Sequence, residues 1–199
     1  MSEDTAMHES KPARTVGVEV AVIGSARLSE SDDRWSQAHK LGRLLAQEGF
    51  TIVTGGYSGL MAAVSRGAHE VGGYVIGLPM RHWTHIEPNP WNTDLRWSAN
   101  YGMRLNHLLH CEAVVALPGG VGTLSELAIV WAAGQTEVRG LPLILLGECW
   151  GPVIQAVDEH LVIDDADLDL LRFAASPEEA LHEIRAALAN RRAVPGSQG

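Results

Sequence analysis

A carboxylate, two hydroxyls and bare backbone come together in one short stretch, Pro118-Gly119-Gly120-Val121-Gly122-Thr123-Leu124-Ser125-Glu126. An apolar run, Ala113 to Leu117, leads into it, and apolar residues at helical spacing, Leu127 to Ala133, follow. That pattern predicts a strand, a glycine-rich loop and a helix with Glu126 in its first turn. Glycines let peptide N–H groups turn toward an anion, and a helix N-terminus adds about half a positive charge there. The chemistry that fits is the holding of a nucleotide phosphate with a carboxylate beside it.

Two more corners share this design. Val16 to Ile23 reads as a buried strand ending at Gly24-Ser25-Ala26-Arg27, where small residues and a hydroxyl can approach an anion. Thr51 to Thr54 reads as a second strand running into Gly55-Gly56-Tyr57-Ser58-Gly59-Leu60-Met61. Taken alone, the glycines at 55–59 serve close packing or a ligand equally well. The stretch at 118–126 leans toward a ligand, because packing alone does not demand Thr123, Ser125 and Glu126. It lacks the Gly-Lys-Ser/Thr ending of a triphosphate P-loop. The first strand likewise carries Gly24 alone of a Gly-x-Gly-x-x-Gly dinucleotide fingerprint.

The elements that must position these corners alternate. Ser31-Asp32-Asp33 offers N-cap chemistry for a helix from Trp35 to Gln47, stopped at Gly49. A helix through Ala62 to Val71 follows the second corner, then a strand at Tyr74 to Leu78 broken by Pro79. Residues 80–99 show neither period and hold Trp83, Trp91 and Trp97, so a lid, binding loop or interface is expected there. These tryptophans suit stacking on a purine or covering a subunit boundary. Helices at Tyr101 to His110, Trp150 to His160 and Pro177 to about Ala189 and strands at Leu141 to Leu146 and Leu171 to Phe173 complete the reading. Trp131 with Ala132 and Ala133 suits the core or a dimer contact. Alternation of this kind predicts a Rossmann-like α/β fold, a doubly wound parallel sheet in one domain over 16–189. Its ligand edge is the C-terminal edge of the strands. Residues 1–15 and the polar stretch from Asn190 read as disordered tails.

The 199 residues and 46% hydrophobic content suit one packed domain, and the formal charge of -9 argues against a nucleic-acid partner. No apolar run is long enough to span a membrane, and no signal peptide opens the chain, so a cytoplasmic protein is expected. Cys111 and Cys149 read as buried thiols in a reducing compartment.

Gly-Gly-x-x-Gly-Leu-Met at 55–61 and Pro-Gly-Gly-x-Gly-Thr-x-x-Glu at 118–126 resemble the LONELY GUY (LOG) family. These are cytokinin riboside 5'-monophosphate phosphoribohydrolases, often mislabelled lysine decarboxylases. Gly67-Ala68-His69-Glu70 with Gly72-Gly73, and Leu141-Pro142-Leu143 before Leu145-Leu146, extend the resemblance over roughly residues 16 to 189. It implies a Rossmann-like homodimer, without a cofactor, that cleaves the N-glycosidic bond of AMP or N6-substituted AMP. The products are a free base and ribose 5-phosphate. Glu126 matches the family's catalytic glutamate, and Gly119 to Thr123 its phosphate-binding loop. Around them the substrate-binding set comprises Gly24, Ser25, Gly56, Gly59, Leu60, Met61, Met103, Gly119, Gly120, Val121, Gly122, Thr123, Leu124 and Ser125. The family pattern Met-x-x-Arg-Lys departs here: counted back from Pro118, Arg104 takes the lysine's place and Met103 the arginine's. Arg104 is read as the second catalytic residue, reached by a one-residue shift or a helix rotation. A nucleotide- or cofactor-binding carrier on the same fold is the alternative.

Decarboxylase chemistry through pyridoxal phosphate requires a Schiff-base lysine, and of the chain's two, Lys11 reads as tail and Lys40 as mid-helix, far in sequence from the corners. His82, His85 and Glu87, and separately His107 and His110, read as loop and surface polarity rather than as metal ligands.

Overall fold

The computed structural model describes residues 17–136 and 141–193. The expected N-terminal tail, Val16 at the start of the first strand, Lys11, Gly140 and residues 194–199 lie outside the described residues.

Side-chain alternation along β1 (Glu19–Ile23) decides the layering: Val20 and Val22 face one core, Ala21 and Ile23 the other. Around it stand β2 (Thr51–Thr54), β3 (Tyr74–Gly77), β4 (Asp94–Leu95), β5 (Ala113–Ala116), β6 (Leu143–Leu146) and β7 (Leu171–Ala174). They form one seven-stranded sheet in the order β4-β3-β2-β1-β5-β6-β7, every pair parallel. Helices α1 (Asp33–Gln47), α2 (Leu60–Glu70) and α7 (Pro177–Ala193) supply one core. The opposite core is supplied by α3 (Tyr101–Leu109), α4 (Val121–Thr136) and α5 (Trp150–His160), with the single turn α6 (Asp165–Leu168) beyond them. Strands covered on both faces have no polar side, which is why β5 and β6 read as unbroken apolar runs and β1 as one from Val20 onward. Chain order reverses between β1 and β5, the switch point at which doubly wound sheets open a crevice.

Local signals hold where a cap or a long period carries them. Asp32 caps α1 by accepting from the Arg34 N–H, and Ser176 Oγ accepts from the Glu179 N–H at the start of α7. Four expectations change. The 80–99 segment holds β4, whose Asp94 and Leu95 pair with Ile76 and Gly77; two residues cannot display a period. Helix α7 runs to Ala193, so the C-terminal boundary at 189 falls short. Helix α4 starts at Val121, placing Gly122, Thr123, Leu124 and Ser125 in helix and Glu126 in the second turn. A helical glycine costs about 1 kcal/mol, so Gly122 argues locally for loop. Buried Leu127 and Val130 outweigh it, at about 1.5–3 kcal/mol each. Finally, Cys111 is buried as expected, but Cys149 is exposed, one residue before α5 begins.

Candidate functional site

Three strand-to-helix corners are joined by backbone at the C-terminal edge. The Ser25 N–H donates to Pro118 O at 3.1 Å, and the Leu60 N–H donates to Ser25 O at 2.8 Å. Ser58 Oγ donates to Ala26 O at 2.8 Å. The turn after β1 is thereby clamped between the corners after β2 and β5. Gly59 permits this closeness: it holds φ +70°, and a methyl group there would collide with Ser25 O. Gly24 lies against Leu117 and Leu60, the latter fully buried.

At the corner after β5 the geometry opens. Leu124 N–H donates to Gly120 O at 2.9 Å, closing the first turn of α4. The N–H groups of Val121, Gly122 and Thr123 precede that bond and lack intrahelical acceptors. Val121 is 84% exposed, and a methyl group at Gly120 or Gly122 would meet nothing within 4 Å. Gly119 lies directly beneath the Thr123 hydroxyl, and Thr123 itself is buried. Helix α4 therefore presents an unobstructed N-terminus, suited to an anion by both dipole and free donors. Ser125 is engaged elsewhere: its Oγ donates to Gly122 O at 2.8 Å and meets Tyr101 Oη of α3 at 2.9 Å. Leu124 turns outward, half exposed.

Glu126 and Arg104 form a buried ion pair behind this opening, each 6% exposed. Arg104 Nε and Nη2 donate to the same carboxylate oxygen, Oε1, at 3.2 and 3.0 Å. Its Nη1 donates to Gly55 O at 3.2 Å and to Leu78 O at 2.5 Å. One guanidinium thus links the ends of β2 and β3 to α4. Gly55 leaves room for this, since a methyl group would overlap Arg104 Nη2 and the Met61 sulfur where they stand. Among the described residues, Oε2 of Glu126 takes no hydrogen bond. Burial pushes the Glu126 pKa above the ordinary carboxylate range, and the charge and hydrogen bonds of Arg104 restrain the rise.

Arg104 reaches the carboxylate from the position that the family pattern gives to a lysine. Successive helical residues are rotated by about 100°, so the neighbours diverge. Arg104 turns into the core, while Met103 is 56% exposed. Met103 lines an open hollow on the outer side of α3 with Gly102, Asn106, His107 and His110. It stands apart from the residues that surround Glu126.

Sequence reasoning missed the clamp on the second corner. Gly56 O accepts from the Asn89 N–H at 2.8 Å, Asn89 Nδ2 at 3.1 Å and Asn92 Nδ2 at 3.0 Å. Asn89 Nδ2 also donates to Tyr57 O at 2.9 Å, and Tyr57 Oη accepts from the Met80 N–H at 2.8 Å. The 80–99 segment is thus a fixed wall bonded to the corner, and its signal was the pair of asparagines around Pro90 and Trp91. Its tryptophans separate: Trp83 tilts onto Tyr57 at 5.7 Å, Arg66 lies 5.6 Å over Trp91, and Trp97 is exposed. Trp131 is half-buried against the second core, its Nε1 donating to Asp167 O at 2.8 Å. Among the described residues no cluster of three His, Cys, Asp or Glu side chains is placed to hold a metal.

The parallel sheet, its chain order reversing between β1 and β5, defines a Rossmann-like α/β protein. More narrowly, the chain belongs to the SLOG cluster4 family, whose model matches residues 17–166. A cytokinin riboside 5'-monophosphate phosphoribohydrolase from Mycobacterium marinum is 31% identical over 121 residues, 57% of this chain and 62% of that enzyme. The phosphoribohydrolase LOG of Oryza sativa is 30% identical over 138 residues, and the match covers 65% of this chain and 57% of that protein. The chain thus spans about three fifths of these relatives' length. Among solved structures, the molybdenum cofactor binding protein of Rippkaea orientalis superposes with a TM-score of 0.70. That match covers 88% of this chain and 99% of the other at 24% identity, a likeness of fold. No helix among the described residues is long and apolar enough to cross a membrane.

Proposed function

We propose that the protein is a nucleoside 5'-monophosphate phosphoribohydrolase that hydrolyses the N-glycosidic bond of AMP or an N6-substituted AMP. The observation that carries this reading is the buried Glu126 carboxylate, oriented through Oε1 by Arg104 and set one helical turn behind the open N-terminus of α4. The 5'-phosphate binds at that N-terminus, through the N–H groups of Gly120 to Thr123 and the neighbouring Ser25 turn. The ribose then lies over Glu126. As the bond from C1' to the base nitrogen lengthens, positive charge develops on the ribose ring, and the carboxylate stabilises it. Oε2 orders the attacking water, whose oxygen joins C1'; a water proton accompanies the departing base. Arg104 has its donors committed to Glu126, Gly55 and Leu78, so it acts as a positioning residue.

The family names of the relatives support this substrate class. Two such subunits would pair through the outward face of α4, where Val121, Leu124 and Ile129 are exposed. Free cysteines and a nucleotide substrate suit the cytoplasm. The test follows free base released from AMP and N6-isopentenyl-AMP. Release that disappears in Glu126→Gln is the expected result; equal release in wild type and variant rejects the assignment.

The second reading is a carrier that binds a nucleotide or phosphorylated cofactor without cleaving it. Its motive is the commitment of Arg104 to protein groups, leaving Glu126 as the one charged side chain of the pair free to act. Tight AMP binding with no base release, unchanged in Glu126→Gln, decides for the carrier.

A further inference from the structure

Among the cations whose side chains are described, charge pairing singles out two. Arg34, Lys40, Arg43, Arg66, Arg96, Arg104, Arg172, Arg185 and Arg191 each lie within ion-pair distance of a carboxylate. Arg27 and Arg81 have no such partner among the described residues, and both are exposed. The chain holds 24 acidic residues against 15 basic ones, so carboxylates are not in short supply. Both unpaired arginines sit on loops at the C-terminal edge of the sheet: Arg27 follows β1 and Arg81 follows β3.

Their distances from the open end of α4 differ. Strand β1 is the immediate neighbour of β5, and the Ser25 N–H is bonded to Pro118 O, two residues before Arg27. Strand β3 stands three places from β5, roughly 14 Å away at about 4.8 Å per strand. The Arg27 backbone is also held in place: its N–H donates to Ser25 Oγ at 3.1 Å, and Ala26 O is bonded by Ser58 Oγ.

The charge needed at that spot is also unmet. A phosphate monoester carries nearly two negative charges at neutral pH, and a helix N-terminus offers about half a positive charge. Arg104 does not make up the difference, because Glu126 already matches its charge. A guanidinium beside the α4 N-terminus does, and its planar fork suits two phosphate oxygens at once.

From these observations we propose that Arg27 is a binding residue for the phosphate of a phosphate monoester, closing over the anion opposite the N-terminus of α4. The inference rests on the phosphate-site reading above but not on cleavage or on the base. The experiment is calorimetric titration of the full chain at low salt with ribose 5-phosphate, AMP and adenosine, comparing wild type, Arg27→Ala, Arg27→Lys and Arg81→Ala. Arg27→Ala should weaken both phosphate monoesters about 10–100-fold, the range of a lost charge-assisted pair, and leave adenosine unchanged. Arg27→Lys should recover part of the loss, and Arg81→Ala should stay within about twofold. Ribose 5-phosphate binding equally to wild type and Arg27→Ala overturns the inference, as does wild type that binds no ribose 5-phosphate. Ribose 5-phosphate bound and weakened by Arg27→Ala, with AMP refused, upholds Arg27 and rejects the nucleotide reading.

Discussion

Two glycine-rich corners of this protein look alike in sequence and differ in what their glycines do. At 55–59 the glycines are demanded by the protein. Gly55 makes room for Arg104, Gly56 holds φ +81° against Gly77, and Gly59 holds φ +70° against Ser25. At 118–122 the pattern is the reverse. Gly120 and Gly122 have free space around them and no positive φ, and Gly119 alone is packed, beneath Thr123. A glycine with no neighbour to crowd it, at the open N-terminus of a helix, leaves the space in front of that N-terminus clear. The first corner is built as framework and the second, on the function proposed above, as receptor, and Arg104 joins them by bonding Gly55 O and Glu126 together.

The largest effect should come from cutting that joint. Arg104→Ala leaves a buried carboxylate without its counter-charge and two carbonyls without donors, a loss of about 3–5 kcal/mol. A urea midpoint near that of wild type would mean that the corners stand independently. Glu126→Gln acts on the receptor side alone: base release should fall about 10²–10³-fold while AMP affinity is kept.

The same variant sharpens the electrostatics. Burial raises the Glu126 pKa in the folded state, so the folded protein holds this proton to higher pH than the unfolded chain. Stability therefore falls as pH climbs from the ordinary carboxylate range through the raised folded value. Glu126→Gln lacks that proton, so its urea midpoint should gain on wild type as pH rises from 4 to 8. Parallel pH profiles would show that Arg104 cancels the burial entirely.

Alanine at the two kinds of glycine tests the comparison directly. Gly59→Ala should cost about 1–3 kcal/mol, read from the denaturation midpoint, because the residue is forced into a left-handed backbone against Ser25. Gly120→Ala should change stability by less than about 0.5 kcal/mol and still weaken ribose 5-phosphate binding. Equal destabilisation by the two substitutions would erase the distinction between framework and receptor.

Much of this was legible in the chain. Buried parallel strands betray themselves as continuous β-branched runs, and caps such as Asp32 and Ser176 mark helix starts by their own hydrogen bonds. Glu126 and the α4 entrance stood out because a carboxylate and hydroxyls beside glycines exceed what packing asks. The two-residue β4 left no such trace, having no period, and the clamp on Gly56 showed only as the asparagines at 89 and 92, its bonds spanning more than 30 positions.

By itself, then, the sequence determined the layered α/β plan and the presence of a glycine-rich helix end with a carboxylate behind it. Both follow from local periodicity and residue type. Tertiary structure alone decided which of Met103 and Arg104 faces that carboxylate, and where helix α4 begins. It also decided which of the two glycine corners is open. Each of these depends on what another part of the chain brings near: Leu78 and Gly55 to Arg104, Ser25 to Gly59, and nothing at all to Gly120. Neighbours across a sheet are fixed by strand order, which spacing along one strand does not encode.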